Sequence, residues 1–129
     1  QAEFRIVRNY KNDTIILRAD KVQLEKALSH IIQNSFNAMT SGGTLTIDVE
    51  RIRENETCSI IIKDTGKGIP REDIDRIFDP FYTTPEKGVG LGLPLSKKII
   101  EGHGGKITVH SVPDQGTTLT VLLPVTLIE

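Results

Sequence analysis

The chain has one cysteine, no long apolar run and almost no net charge, and each scarcity removes a class of function. Cys58 cannot form an internal disulfide, so the composition suits a reducing compartment. Beside Ile60-Ile61-Ile62 it reads as a strand residue; a reactive thiol needs an exposed, electropositive setting. The longest apolar stretch falls far short of the roughly 20 residues that cross a bilayer. No signal peptide is visible. A net charge of −1 with interspersed signs gives no footprint for nucleic acid and no basic patch for anionic lipid. There is no internal repeat and no low-complexity linker. The 129 residues, 37% apolar and 26% charged, fit a single domain, 1–129, with its own core. The chain opens at Gln1-Ala2-Glu3 without methionine and reads as a piece of something longer.

Hydrophobic spacing orders the elements as ββαββααββ. Residues 4–10 and 14–19 read as two strands around a turn at Lys11-Asn12-Asp13. Asp20 caps a helix whose Leu24, Ala27, Leu28, Ile31, Ile32, Ser35, Phe36 and Met39 recur at helical intervals. Strands follow over 44–50 and 58–63, joined by the charged turn 53–56. Pro70 suits the first position of a short helix running through Ile77. An irregular loop over 78–88 leads into a helix with Leu91, Leu95 and Ile99 on one face, where Pro94 is tolerated in the first turn. Strands over 106–111 and 117–123 close as a hairpin. Grouped strands and helices favour an α/β two-layer sandwich, a mixed sheet with helices on one face, over a doubly wound parallel sheet.

Three segments carry chemistry. Asp64-Thr65-Gly66-Lys67-Gly68 places a carboxylate at a strand end before a glycine turn. A carboxylate there accepts from the amino group of adenine and repels the carbonyl of guanine; alternatively Asp64 merely forms the turn. Gly88, Gly90 and Gly92 open a helix and offer free N–H groups to an anion. No strand precedes them, so this is not a dinucleotide fingerprint; a phosphate cradle under a mobile lid and a plain glycine loop both fit. Lys87 is the nearest cation to that turn, and Lys97 and Lys98 read as solvated helix charges. Asn34 lies on the inner half of its helix, one turn beyond His30, where a buried amide needs a partner. A Mg²⁺-nucleotide would supply one, as would backbone in a core site. Asn37 reads as partly exposed.

Taken together and in this order, the segments resemble the catalytic ATP-binding domain of sensor histidine kinases, within the superfamily of gyrase, heat-shock chaperone and mismatch-repair ATPases. His30 to Met39 resembles the N box, Asp64 to Gly68 the G1 box, Phe78 to Thr84 the F box, Gly88 to Leu93 the G2 box, and Gly116-Thr117-Thr118-Leu119 the closing strand. The nitrogen-regulation type is the nearest in kind. The resemblance implies a Bergerat-type fold with ATP and Mg²⁺ as cofactors. It implies Asn34 as Mg²⁺ ligand and catalytic residue, Asp64 as adenine anchor, and Thr117 supporting that aspartate through its hydroxyl. It further implies a base pocket shaped by Gly66, Gly68 and Ile69, with Asn37 and Lys87 near phosphate. Gly88, Val89, Gly90, Leu91, Gly92 and Leu93 would form the triphosphate site, and Phe78 and Phe81 would hinge and pack the lid.

His30 departs from the family, which usually has asparagine there, and from the ATP-hydrolysing and serine-kinase branches, which have glutamate. It either reaches phosphate or water, as a catalytic candidate, or is a satisfied histidine. Asn37 stands where the family often has a basic residue. None of His30, His103 and His110 precedes an acidic residue as a phosphoacceptor histidine usually does; His103 matches the structural end of the family's last helix. The first expectation is therefore an ATP-dependent protein-histidine kinase domain. It would donate the γ-phosphate to a histidine on a separate phosphoacceptor and dimerisation domain, with a response-regulator receiver beyond it. The isolated domain would be a cytoplasmic monomer without nucleic-acid or direct membrane contact, unable to phosphorylate itself. A mechanical ATPase or anti-sigma-like serine kinase, and a degenerate nucleotide-binding interaction module, are the alternatives.

Overall fold

The structure, a computed structural model, describes residues 2–11, 14–80 and 93–126. Its elements are β1 (Glu3–Tyr10), α1 (Lys21–Ala38), β2 (Gly42–Ile52), β3 (Thr57–Asp64), a 3₁₀ helix (Arg71–Arg76), α2 (Leu93–Gly102), β4 (Lys106–Val112) and β5 (Gly116–Pro124). The strands form a five-stranded sheet in the order β1-β2-β3-β5-β4. β1 runs parallel to β2, and the other pairings are antiparallel. The expected two-layer α/β architecture with a mixed sheet is what forms.

The opening differs from the sequence reading. Residues 14–19 are not a strand, and β1 does not turn back into a hairpin. β1 pairs in parallel with β2, which requires a long crossover, and α1 is that crossover. Residues 14–19 instead pass as extended coil, with Ile15 and Leu17 packed on the core and the Ile16 carbonyl accepting from the Thr126 amide at 2.7 Å. Alternating apolar residues met a core edge there rather than a strand partner. The short helix after Pro70 is 3₁₀ rather than α, and Pro70 stands just outside it as its cap.

Asp20 caps α1 as expected, its carboxylate accepting from the Gln23 amide at 3.0 Å. Ala27, Ile31 and Ser35 are the buried residues of α1, a stripe at i, i+4 and i+8. On α2 the buried face is Leu93, Ser96, Ile99 and Ile100, while Leu95 is 39% exposed. The expected face through Leu91 and Leu95 is thus displaced, and Leu91 lies outside the described residues. Both helices lie over one face of the sheet, where Leu45, Cys58, Ile62, Leu119, Val121, Leu123 and Ile107 form the core. Burial pushes the Cys58 thiol up, which suits an inert core residue.

Polar ties join the helices. The Ser96 hydroxyl, fully buried, donates to the Ala27 carbonyl at 2.9 Å. His103 bridges the end of α2 to the start of α1: Nε2 accepts from the Asp20 amide at 2.9 Å, and Nδ1 faces the Ile99 carbonyl at 2.7 Å. An amide can only donate and a carbonyl only accept, so the proton sits on Nδ1. His103 is therefore structural, in the place the family resemblance gave it.

Ser96→Ala removes one helix-to-helix hydrogen bond and is expected to lower the unfolding free energy by about 1 kcal/mol. Ser96→Leu has no room beside Ala27 and is expected to cost ~1–3 kcal/mol. Urea denaturation of both variants checks the pair.

Candidate functional site

Asp64 is the last residue of β3 and is only 3% exposed. The strand register sets its neighbours. Leu45 of β2 is its cross-strand partner, and Thr117 of β5, which faces Ser111 of β4, is the next position beyond the Lys63–Thr118 pair. Leu45, Asp64, Thr117 and Ser111 therefore form one row on the helix side of the sheet, with the polar members gathered at one end of the core.

A buried carboxylate needs donors. The Asp64 carboxylate accepts from the Gly66 amide at 2.9 Å and from the Thr117 amide at 3.2 Å. Burial raises its pKa above the ordinary value of 3.8, while those two amides and the neighbouring Ser35 side chain pull it back. The support expected from the Thr117 hydroxyl thus comes from the Thr117 backbone. The hydroxyl lies 3.0 Å from Ser111 Oγ instead, because a strand residue beside Asp64 offers its amide in the ladder direction and its side chain across to β4.

The glycines of the turn are fixed by protein contacts. A Cβ on Gly66 would lie 2.6 Å from the Ala38 carbonyl oxygen and 2.8 Å from the Ala38 Cβ, so the turn fits under the end of α1 only without a side chain. The Lys67 amide donates to that same Ala38 carbonyl at 3.0 Å, and the Lys67 carbonyl accepts from Asp114 at 2.7 Å. Gly68 has φ +72 and packs against the Val112 carbonyl. Ile69, half-buried, donates its amide to Ser111 Oγ at 2.8 Å.

α1 brings its asparagine to the same end. Successive helix residues are about 100° apart. Ser35 lies beside Asp64, its hydroxyl donating to the Ile31 carbonyl one turn back at 3.4 Å, and Phe36, on one flank of it, meets Phe4 of β1 edge-on at 5.2 Å. Asn34 lies on the other flank, the side on which α1 meets α2 through Ala27 and Ser96. His30, Asn34 and Asn37 share this half-buried stripe. Asn37 accepts from Gln33 Nε2 at 3.1 Å. The Nδ1 of His30 is buried and has no hydrogen-bond partner among the described residues, so the reading of His30 as a satisfied histidine does not hold at that atom.

Phe78 is half-buried and Leu93 buried. The Lys97 ammonium sits 5.2 Å from the centre of the Phe78 ring, so Lys97 is not the purely solvated charge expected; its long stem lets the cation lie on an aromatic face. Phe81, Lys87, Gly88, Val89, Gly90, Leu91 and Gly92 lie outside the described residues. Helix α2 begins at Leu93, directly after them. The sequence reading missed Ser35 and Ser111, the hydroxyls that complete the site. In the sequence Ser35 stands only as one position of an apolar stripe, and a serine among apolar residues directly after Asn34 is the available signal.

Residues 19–127 match the family described as Histidine kinase-, DNA gyrase B-, and HSP90-like ATPase. The chain belongs to that family. It is 38% identical over 116 residues to Sporulation kinase A of Bacillus subtilis (strain 168), covering 90% of this chain and 19% of that protein. It is 36% identical over 125 residues to the signal transduction histidine-protein kinase AtoS of Escherichia coli (strain K12), covering 97% of this chain and 20% of that one. Among solved structures, the nucleotide-free catalytic domain of the histidine kinase ThkA superposes with a TM-score of 0.82 at 30% identity, covering 94% of this chain and 78% of that one. Within the family, this chain is a histidine-kinase catalytic domain. It spans about a fifth of the length of the two kinases matched by sequence. Among the described residues no helix is long and apolar enough to cross a membrane.

The raised pKa of Asp64 fixes a sign. An ionised Asp64 is the better acceptor for an amino group, so adenine nucleotide affinity is expected to fall as pH drops through a carboxyl lying above 3.8. Folding runs the other way: with its pKa raised in the folded state, this group adds stability below the unfolded value that is lost as pH rises through the folded one. Asp64→Asn keeps an oxygen for the Gly66 and Thr117 amides but turns an NH₂ group toward the base. It is expected to stay folded, lose adenine affinity and lose the acid-side pH dependence, read by calorimetry from pH 4 to 7 beside thermal melts.

Proposed function

We propose that this chain holds Mg-ATP between α1, α2 and the sheet, and that it presents the γ-phosphate to a histidine on a separate phosphoacceptor domain. The observation that carries this is Asp64: a carboxylate buried at the open end of the core, held by two backbone amides, with lone pairs left for a base donor. Family membership and the histidine-kinase relatives support the same reading.

The residues present fit the cofactor. Asp64 is an acceptor where an exocyclic amino group needs one, and His30, on the same half-buried stripe as Asn34, has a buried ring nitrogen with no hydrogen-bond partner among the described residues. Among the described residues no three His, Cys, Asp or Glu side chains cluster as a metal site. A Mg²⁺ ion here would be held by the Asn34 oxygen together with phosphate and water, the mode usual for Mg²⁺ on nucleotides. When bound, Mg-ATP supplies the transferable phosphoryl group and the charge that neutralises it.

The protein's own part is placement. Asp64 anchors the base, with the Gly66 turn and Ile69 as walls, and Asn34 fixes the metal-bearing phosphates. His30 donates or accepts at water or phosphate from the same helix face. Its imidazole is not the carboxylate that activates water in the hydrolysing branches, so the site favours holding ATP for a partner over hydrolysing it. Gly88, Gly90, Gly92 and Lys87 complete the triphosphate site in this reading, and Phe78 and Phe81 seat the lid. The partners are a helical phosphoacceptor and dimerisation domain and, downstream, a response-regulator receiver. The chain acts as a monomeric catalytic domain on the cytoplasmic side.

Calorimetry with ADP and with a non-hydrolysable ATP analogue tests this. Binding is expected to prefer adenine over guanine and to strengthen with Mg²⁺, and Asn34→Ala is expected to abolish most of the Mg²⁺ dependence. With γ-labelled ATP the chain alone should take up no label and release little free phosphate. Steady phosphate release lost in Asn34→Ala would instead indicate an autonomous ATPase, and absence of any adenine nucleotide binding would indicate a degenerate module.

A further inference from the structure

We infer that Ser111 sets the base specificity of the pocket by fixing the direction of a hydrogen-bond chain, so that the Thr117 hydroxyl can accept but not donate. The inference rests on the base-pocket reading above. Ser111 Oγ has three short contacts: the Ile69 amide at 2.8 Å, the Gly116 carbonyl at 3.0 Å and the Thr117 hydroxyl at 3.0 Å.

Their roles follow from counting protons. The Ile69 amide can only donate, so it occupies one lone pair of Ser111. The Gly116 carbonyl can only accept, so it takes the single Ser111 proton. For the third contact to be a hydrogen bond, the Thr117 proton must point at the remaining lone pair of Ser111. The reverse arrangement, with the Ser111 proton on Thr117, leaves the Gly116 contact unmade. All three contacts are satisfied in one direction only, and in that direction the outward capacity of Thr117 Oγ1 is two lone pairs.

Thr117 and Asp64 are adjacent in the same cross-sheet row, with the Thr117 amide on the Asp64 carboxylate. Both then present acceptors to the base. Adenine offers an amino group to such a wall; hypoxanthine, which differs at that position by a carbonyl, offers a third acceptor and is repelled. Asp64 supplies the charge, and Ser111 keeps the neighbouring hydroxyl from turning round to rescue the wrong base. Ser111 is a positioning residue that acts through Thr117. Its side chain also ties the turn at Ile69 to the β4–β5 turn at Gly116, a structural role that would affect every nucleotide alike.

The ratio of dissociation constants, ITP over ATP, separates the two roles. With Mg²⁺ present, Ser111→Ala is expected to lower that ratio about tenfold, the worth of one hydrogen bond regained by the carbonyl, whatever common loss it causes. Ser111→Thr keeps a hydroxyl and is expected to keep the ratio. Ser111→Ala combined with Thr117→Val is expected to show no relaxation, since valine has no proton to offer. An equal change for both nucleotides in Ser111→Ala overturns the inference. Thr117→Val alone supplies a test that does not depend on the folding of the Ser111→Ala variant. A hydroxyl that cannot donate gives the carbonyl nothing, so ITP affinity should stay within about twofold, and a tenfold loss for ITP alone overturns it. If the unmutated chain binds neither nucleotide, the base-pocket reading fails first and this inference falls with it.

Discussion

The buried carboxylate of Asp64 is the constraint around which this molecule is arranged. A charge at 3% exposure costs several kcal/mol unless donors replace water, and the donors come from separate parts of the chain. Gly66 supplies an amide from the turn that follows and Thr117 one from the neighbouring strand, while Ser35 of the helix above lies beside the carboxylate. Each donor imposes its own requirement. The Gly66 amide requires a turn tight enough to pass under Ala38. The Thr117 amide requires β5 to run beside β3, and the Gly116 turn to pack against the Asp64 backbone without a side chain. The edge-on contact of Phe36 with Phe4 fixes the rotation of α1.

That rotation is what links fold to site. With Ser35 on Asp64 and Phe36 on Phe4, the stripe bearing His30, Asn34 and Asn37 has only the α2 flank left to occupy. Ser96 and His103 then hold α2 to α1 by hydrogen bonds to backbone rather than by apolar contact alone. Hydrogen bonds fix distance and direction where packed aliphatic groups would tolerate sliding. The face of the helix proposed to meet nucleotide is thus set by the same packing that surrounds the buried carboxylate.

The division of labour in the pocket follows from hydrogen-bond chemistry. A carboxylate alone reads an amino group but leaves nearby hydroxyls free to rotate. Ser111, placed opposite Thr117 by the β4–β5 register, removes that freedom. In the proposed reading, recognition of the base is a property of the sheet end, while the phosphate and metal work falls to α1 and to the glycine motif before α2.

Much was legible in the sequence because it is local. The Asp20 cap, the long helix, the strand pairs around residues 53–56 and 113–115, and the order of glycine motifs with Asn34 all depend on residues near one another. That order also identified the family. Tertiary structure decided what depends on distant partners. Residues 14–19 alternate like a strand yet become coil, because Ile15 and Leu17 pack on the core and the Ile16 carbonyl pairs with the distant Thr126 amide. The buried face of α2 lies on Leu93 and Ser96, away from Leu95, because α1 meets it there. Thr117 supports Asp64 through its amide rather than through the hydroxyl expected. Ser35 and Ser111 carried no motif of their own. A hydroxyl gains a role only from what stands within 3 Å of it, and a sequence read one residue at a time does not contain that distance.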